Sequence, residues 1–342
     1  MADTPVSFLL GVVPVLLLLA ALHLLDAYRL VSRWRVLRVI AAGGLAALLC
    51  LWLSRHLWWL ARESSLSTYW LLPLVEEVAK SLVILLLFRL HRIGFLVDAA
   101  ILGFAVGAGF AIVENLYYAA VLEPLPAAVW LVRGFGTALM HGGVSAIFSL
   151  LTQLLTERNR RGLHYCLPGL ALAVGLHWLF NRFYLSPLIH TLLVVSVLPA
   201  LLLLVFQRSA LAMQRWLRQG LDGDMELLQL IRSGEFGNSR LGGFLSDLIE
   251  RFDAIAVVDM LCYLRLYTEL SLRAKGVLMM REQGFDVPGG AGLEGHLREL
   301  AYLERSIGPV GMLALRPLLA RDRRDRWQIR LVSELGKGKN PG

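Results

Sequence analysis

Apolar stretches long enough to cross a bilayer follow one another through the first two thirds of this chain. They constrain its fold more than any other feature. In lipid every backbone N–H and C=O must be satisfied inside the segment, so an uncharged run of about 18 or more apolar residues reads as a transmembrane helix. Hydropathy predicts about seven such spans, at 6–25, 36–56, 69–90, 97–121, 127–155, 164–184 and 187–206. The expected fold class is therefore an all-α polytopic membrane protein, with a transmembrane domain over 1–206. From Gln207 onward charges of both signs return, and apolar residues recur at helical spacing, as over 255–272. Residues 207–342 are expected to form a mostly helical cytoplasmic domain, with a Gly-rich loop over 281–293 around Pro288 and a solvated basic helix face over 321–330.

Composition excludes several classes. Of 342 residues, 57% are hydrophobic, and the formal charge is +8. In such a chain a basic excess serves cytoplasmic loops and lipid headgroups rather than nucleic acid. Cys50, Cys166 and Cys262 lie far apart, which supports neither a disulfide framework nor a cysteine metal site. No Lys or Arg precedes the first apolar run, so it reads as a retained helix and not a cleaved signal.

Basic residues in short connections set orientation. Arg29, Arg33, Arg35, Arg38, Arg89, Arg92, Arg158, Arg160 and Arg161 follow the odd-numbered spans, against Arg55, Arg62 and Arg182 after the even-numbered ones. The odd connections and the C-terminal domain are thus expected in the cytoplasm and the N-terminus outside. Trp58, Trp59, Tyr69 and Trp70 would form an aromatic belt at the outer interface.

Against this apolar background stands Glu76-Glu77-Val78-Ala79-Lys80, inside the third span. Each such charge opposes insertion by roughly 2.5–3.5 kcal/mol near the bilayer centre, so these groups must face protein or water and partner one another. Lys80 shares a helix face with Glu76 at i,i+4 and with Glu77 at i,i+3. Three more spans carry polar residues: Glu114-Asn115 with Tyr118 in the fourth, His141 in the fifth, His177 with Asn181 at i,i+4 in the sixth. Counted along the helices, Glu76, Glu77, Glu114, His141 and His177 fall about 10–20 Å below the outer ends of their spans. Ionisable groups that converge at one depth mark a site.

Carboxylates, imidazoles and an amide suit proton transfer to and from water and stabilisation of an oxyanion. No Ser or Cys nucleophile, aspartate pair or HExxH motif accompanies them. Metal-free hydrolysis, with no cofactor, is the expected chemistry. The competing chemistry is a zinc site on Glu114, His141 and His177. A proton-coupled transporter would use the same groups as a relay, but no inverted repeat is evident. A non-catalytic scaffold or immunity-type protein would keep the fold without cleavage.

Four segments in order, EEVAK at 76–80, FAIVENLYYA at 110–119, HGGVSAIFS at 141–149 and GLHWLFN at 175–181, resemble the PrsW family of intramembrane proteases within the CAAX-protease and bacteriocin-processing (CPBP) superfamily. The resemblance covers roughly 70–185. It implies that one of Glu76 and Glu77 activates water while Lys80 anchors the other. It also implies that His177 and Asn181 face the oxyanion, and that Glu114 and His141 complete the water site, with Asn115 and Tyr118 in support. The implied partner is a membrane-anchored protein substrate, such as an anti-sigma factor cut on its outer side. The added C-terminal domain is open to a cytoplasmic regulator. Four further expectations concern single positions. Arg133 snorkels outward or, as the alternative, partners Glu114 or Glu123, and Asp98 serves a helix N-terminus. Tyr118 either bonds in the site or sits in the interfacial belt. Gly103 and Gly107 permit close helix approach.

Overall fold

A computed structural model of the chain describes residues 4–61, 65–121, 125–158, 163–182, 184–233, 237, 239–285, 292–319 and 323–336. It is 88% helix, with no strand among the described residues. Two compact units are present, Met1–Ser209 and Ala210–Gly342.

The first unit holds α1 (Thr4–Leu24), α2 (Arg33–Ala61), α3 (Ser65–Arg89) and α4 (Leu96–Val121). After them come α5 (Ala127–Leu131), a π-helical stretch (Val132–Ala138) that runs directly into α6 (Leu139–Arg158), α7 (Leu167–Arg182) and the first part of α8 (Pro187–Arg232). Among the described residues, four helical segments are long and apolar enough to cross a membrane: Arg33–His56, Leu96–Val121, Ala127–Thr156 and Pro187–Arg232. Leu9–Leu24 is a shorter apolar helix. Of the other expected spans, α3 falls outside this set because it carries Glu76, Glu77 and Lys80, and α7 because it has only 16 residues. The expected end of the last span at 206 is not a helix end: nothing in 207–232 stops the helix, and α8 continues to Arg232.

Helix α4 is the centre of this unit, buried continuously from Val97 to Ala111. Its glycines explain how. A Cβ on Gly107 would run into the His141 carbonyl and come within 2.7 Å of Gly142 Cα, and one on Gly103 would come within 2.8 Å of the Ser145 carbonyl. Gly109 and Gly43 let α4 and α2 approach in the same way, against the carbonyls of Ile40 and Val106. Backbone-to-backbone packing of this kind needs small residues and fixes helices rigidly. The small-residue pattern is thus a true packing seam, and it sets the height of α6 against α4. Asp98 caps the start of α4 as expected, accepting from the Gly94 and Phe95 N–H groups at 2.8 and 2.7 Å. Outward-facing leucines such as Leu17, Leu45, Leu48, Leu82, Leu86 and Leu192 are exposed, an apolar perimeter that suits lipid rather than water.

The second unit contains the rest of α8 with α9 (Arg240–Ile249), α10 (Ala254–Glu282), α11 (Leu293–Ala314) and α12 (Arg323–Gly336). Met260, Leu264, Ala274 and Leu278 of α10 are at the core, with Leu303 and Ile307 of α11 and Trp327 and Val332 of α12. Trp327 is therefore packed and not part of a solvated face; Arg321 and Asp322 lie outside the described residues, as do residues 286–291 of the expected Gly-rich loop. Lys275 donates to the Gly220 carbonyl (2.8 Å) and to Asp224 Oδ2 (2.6 Å), pinning α10 to α8. Ser271 also donates to Asp224 and receives Gln328 Nε2 from α12 at 3.0 Å.

Candidate active site

Neighbouring residues on a helix point about 100° apart, and this divides the two glutamates of α3. Glu77 faces inward and is 1% exposed. Its Oε1 accepts from Lys80 Nζ at 2.6 Å and from His177 Nδ1 at 2.7 Å. Glu76 is 22% exposed and its shortest polar approach among the described residues is 3.8 Å, to His177 Nε2. Lys80, itself 1% exposed, also donates to His141 Nδ1 at 3.0 Å. An ammonium only donates, so His141 Nδ1 is an acceptor and the ring proton sits on Nε2. By the same reasoning His177 carries its proton on Nδ1, toward Glu77, and leaves a lone pair on Nε2, toward Glu76.

His141 Nε2 lies 2.8 Å from Glu114 Oε2. The pair lacks hydrogen-bond alignment, and Oε2 is buried without a donor among the described residues. Glu114 Oε1 accepts from Arg133 Nη2 at 3.3 Å. Arg133 Nε donates to Asn115 Oδ1 at 2.9 Å, and Asn115 Nδ2 donates to the Gly11 carbonyl at 2.8 Å. A chain of polar contacts thus runs from α7 through α3, α6, α4 and the π-helical stretch to α1. Phe110 is its apolar backing: Lys80 Nζ sits 4.8 Å from the ring centre and the His141 ring 5.1 Å away. The two imidazoles meet edge to face at 4.8 Å.

The structure therefore brings together Glu76, Glu77, Lys80, Glu114, His141 and His177. Asn181 is not with them. It is exposed in the last turn of α7, one residue before that helix ends, and makes no hydrogen bond to the cluster among the described residues. Sharing a face with His177 did not suffice, because the face it occupies there is open. Asn115 and Tyr118 serve Arg133 rather than reacting groups; the guanidinium lies 4.0 Å over the Tyr118 ring. Arg133 does not snorkel outward. It is 16% exposed and turned in on Glu114 from the π-helical stretch, which is the alternative partner reading and not the outward one. Trp70 stacks on Trp178 at 4.1 Å between ring centres, which ties α3 to α7; the side chains of Trp58, Trp59 and Tyr69 lie outside the described residues. Phe110 was missed as a site residue, although its position one turn before Glu114 is a readable signal.

Donors for a metal ion are present in type and separation. Ligand atoms of Glu76, His141 and His177 lie within 4.8 Å of one another, rather than those of Glu114, His141 and His177. The Nδ1–H of His177 held by Glu77 is the usual backing of a ligating histidine, and the orphaned Glu114 Oε2 is a further anionic donor beside His141. Lys80 opposes the ion by its charge and by keeping the His141 proton on Nε2.

Buried carboxylates and imidazoles thus converge from four helices, on a scaffold with an apolar perimeter. The chain belongs to the PrsW family: the family model described as a PrsW family intramembrane metalloprotease matches residues 31–206. No curated protein and no solved structure matches the chain. The chain is thus an intramembrane protease of the membrane, and the resemblance carried by the four motifs holds over a longer stretch than the motifs span.

Proposed function

We propose that this protein hydrolyses a peptide bond of a membrane-anchored protein substrate, with water activated by Glu76. The observation that carries this reading is the division of labour in α3: Glu77 Oε1 accepts from both Lys80 and His177, whereas Glu76 is partly open and has no hydrogen bond among the described residues. A gap of 3.8 Å between Glu76 Oε2 and His177 Nε2 is too long for a direct hydrogen bond and suits one bridging water. Both atoms are acceptors, so each takes one O–H of that water, and the oxygen lone pair is left for the scissile carbonyl. Glu76 takes the proton as the C–O bond forms. It then returns the proton to the amide nitrogen as the C–N bond breaks, and the products are a carboxylic acid and an amine. Glu77 and Lys80 hold His177 and His141 in fixed tautomers.

A second reading is favoured by the three donors within 4.8 Å and by the family's description. Glu76, His141 and His177 would hold a divalent ion, which would supply Lewis-acid polarisation and water activation. Cleavage of a single-pass substrate by the purified protein in lipid is the test. Activity that persists after exhaustive chelation is expected; activity that is lost and then restored by zinc overturns the metal-free route.

The reading includes seven crossings, with α1, α3 and α7 inserted alongside the four longer spans, the N-terminus outside and residues 207–342 in the cytoplasm. It is supported by the asymmetry of arginines in the connections and by the lipid-suited perimeter. Cleavage then falls in the outer half of the bilayer, as required for the first cut of an anti-sigma factor. A regulator acting through the cytoplasmic unit is part of the same proposal.

A further inference from the structure

The mechanism above uses Glu76, Glu77, Lys80, His141 and His177, and leaves unexplained why a guanidinium is buried beside Glu114. We propose that Arg133 is a positioning residue: it orients Glu114 toward His141, and the π-helical stretch Val132–Ala138 serves to deliver it. This rests on reading the cluster as the protease site.

Three observations converge. First, Arg133 grips two adjacent residues of α4 at once, through Nε on Asn115 Oδ1 (2.9 Å) and Nη2 on Glu114 Oε1 (3.3 Å), with Tyr118 one turn on beneath its plane. A planar fork holds its two acceptors at a fixed spacing and orientation, whereas an ammonium, though it can bridge two acceptors, is a rotating point donor. Second, the grip uses one carboxylate oxygen and leaves Oε2, buried and without a donor, 2.8 Å from His141 Nε2. Among the described residues Arg133 is the hydrogen-bond donor that sets which Glu114 oxygen faces His141. Third, Arg133 lies in seven residues of π-helix. Such turns are rare and recur at functional sites, because the added residue re-aims the side chains before it relative to those after it. Gly134 allows this stretch to lie directly against the Leu10 carbonyl of α1. The Asn115 bond to Gly11 secures the same corner from α4.

Two kinds of measurement test the assignment. In proteoliposomes with a single-pass substrate, Arg133→Lys keeps the charge but not the fork. It is expected to lower kcat about tenfold or more with KM changed less than about twofold. Arg133→Gln is expected to add no further loss in a Glu114→Gln background, and guanidinium ion in the buffer to restore Arg133→Ala but not Glu114→Gln. Wild-type kcat in Arg133→Lys, or losses from Arg133→Gln and Glu114→Gln that multiply, overturns the proposal. The second measurement needs no activity: in protein labelled with 15N-histidine, Arg133→Lys is expected to shift the His141 ring signal and leave that of His177 in place. An unchanged His141 signal overturns the positioning role. A shifted signal in a protein that cleaves nothing keeps the role and overturns the protease reading instead.

Discussion

Glu76 and Glu77 have the same side chain and opposite duties. Glu77 is closed in by Lys80 and His177 at 2.6 and 2.7 Å, so Glu77→Gln leaves a buried ammonium without its counter-charge. Breaking a buried pair from one side is expected to destabilise by about 3–5 kcal/mol, read as a lowered thermal midpoint. Glu76→Gln keeps every packing contact and loses only the base. It is expected to reduce cleavage by about a hundredfold or more with the midpoint unchanged. Equal effects of the two substitutions on stability would contradict this division. The sequence placed both glutamates and both histidines at one depth, because helical rise and the price of burying charge are local rules. It left open which glutamate was which, because that is decided by the helices facing α3. Asn181 shows the limit of spacing arguments: its face of α7 is real, but it is open where Asn181 sits.

At the scale of elements, the site depends on the seam between α4 and α6. Gly107 abuts the backbone at His141 and Gly142, and backbone cannot swing aside as a side chain can. Gly107→Ala is expected to lower stability by about 1–3 kcal/mol through overpacking. The same change displaces His141, so activity should fall by more than the loss of folded protein explains. Circular dichroism melts and cleavage assays on one preparation separate the two effects; full activity in a stably folded Gly107→Ala would refute the seam's role. The helices themselves were legible from hydropathy. The π-helical stretch was not, because Arg133, Gly134, Gly136 and Thr137 interrupt the apolar pattern of 132–138 without specifying which kind of helical turn they adopt. The continuation of α8 to Arg232 was hidden for a different reason: from Gln207 the composition turns polar while the backbone stays helical.

For the whole molecule, orientation is the property most open to test. With the N-terminus outside, a cysteine placed in the connection at 62–64 is expected to react with an impermeant reagent from the outer side. One placed at 159–162 should react only after permeabilisation, and the reverse pattern would invert the topology. The family match begins at residue 31, whereas the polar chain through the site ends at Gly11 in α1. The shared family region and the folding unit therefore have different borders. A fragment beginning at residue 31 would keep every motif yet lack the carbonyl that holds Asn115 and the helix against which Gly134 rests. Supplying 1–30 as a separate membrane peptide should restore what the fragment has lost, and a fragment fully active without it would show that these contacts are dispensable to the site.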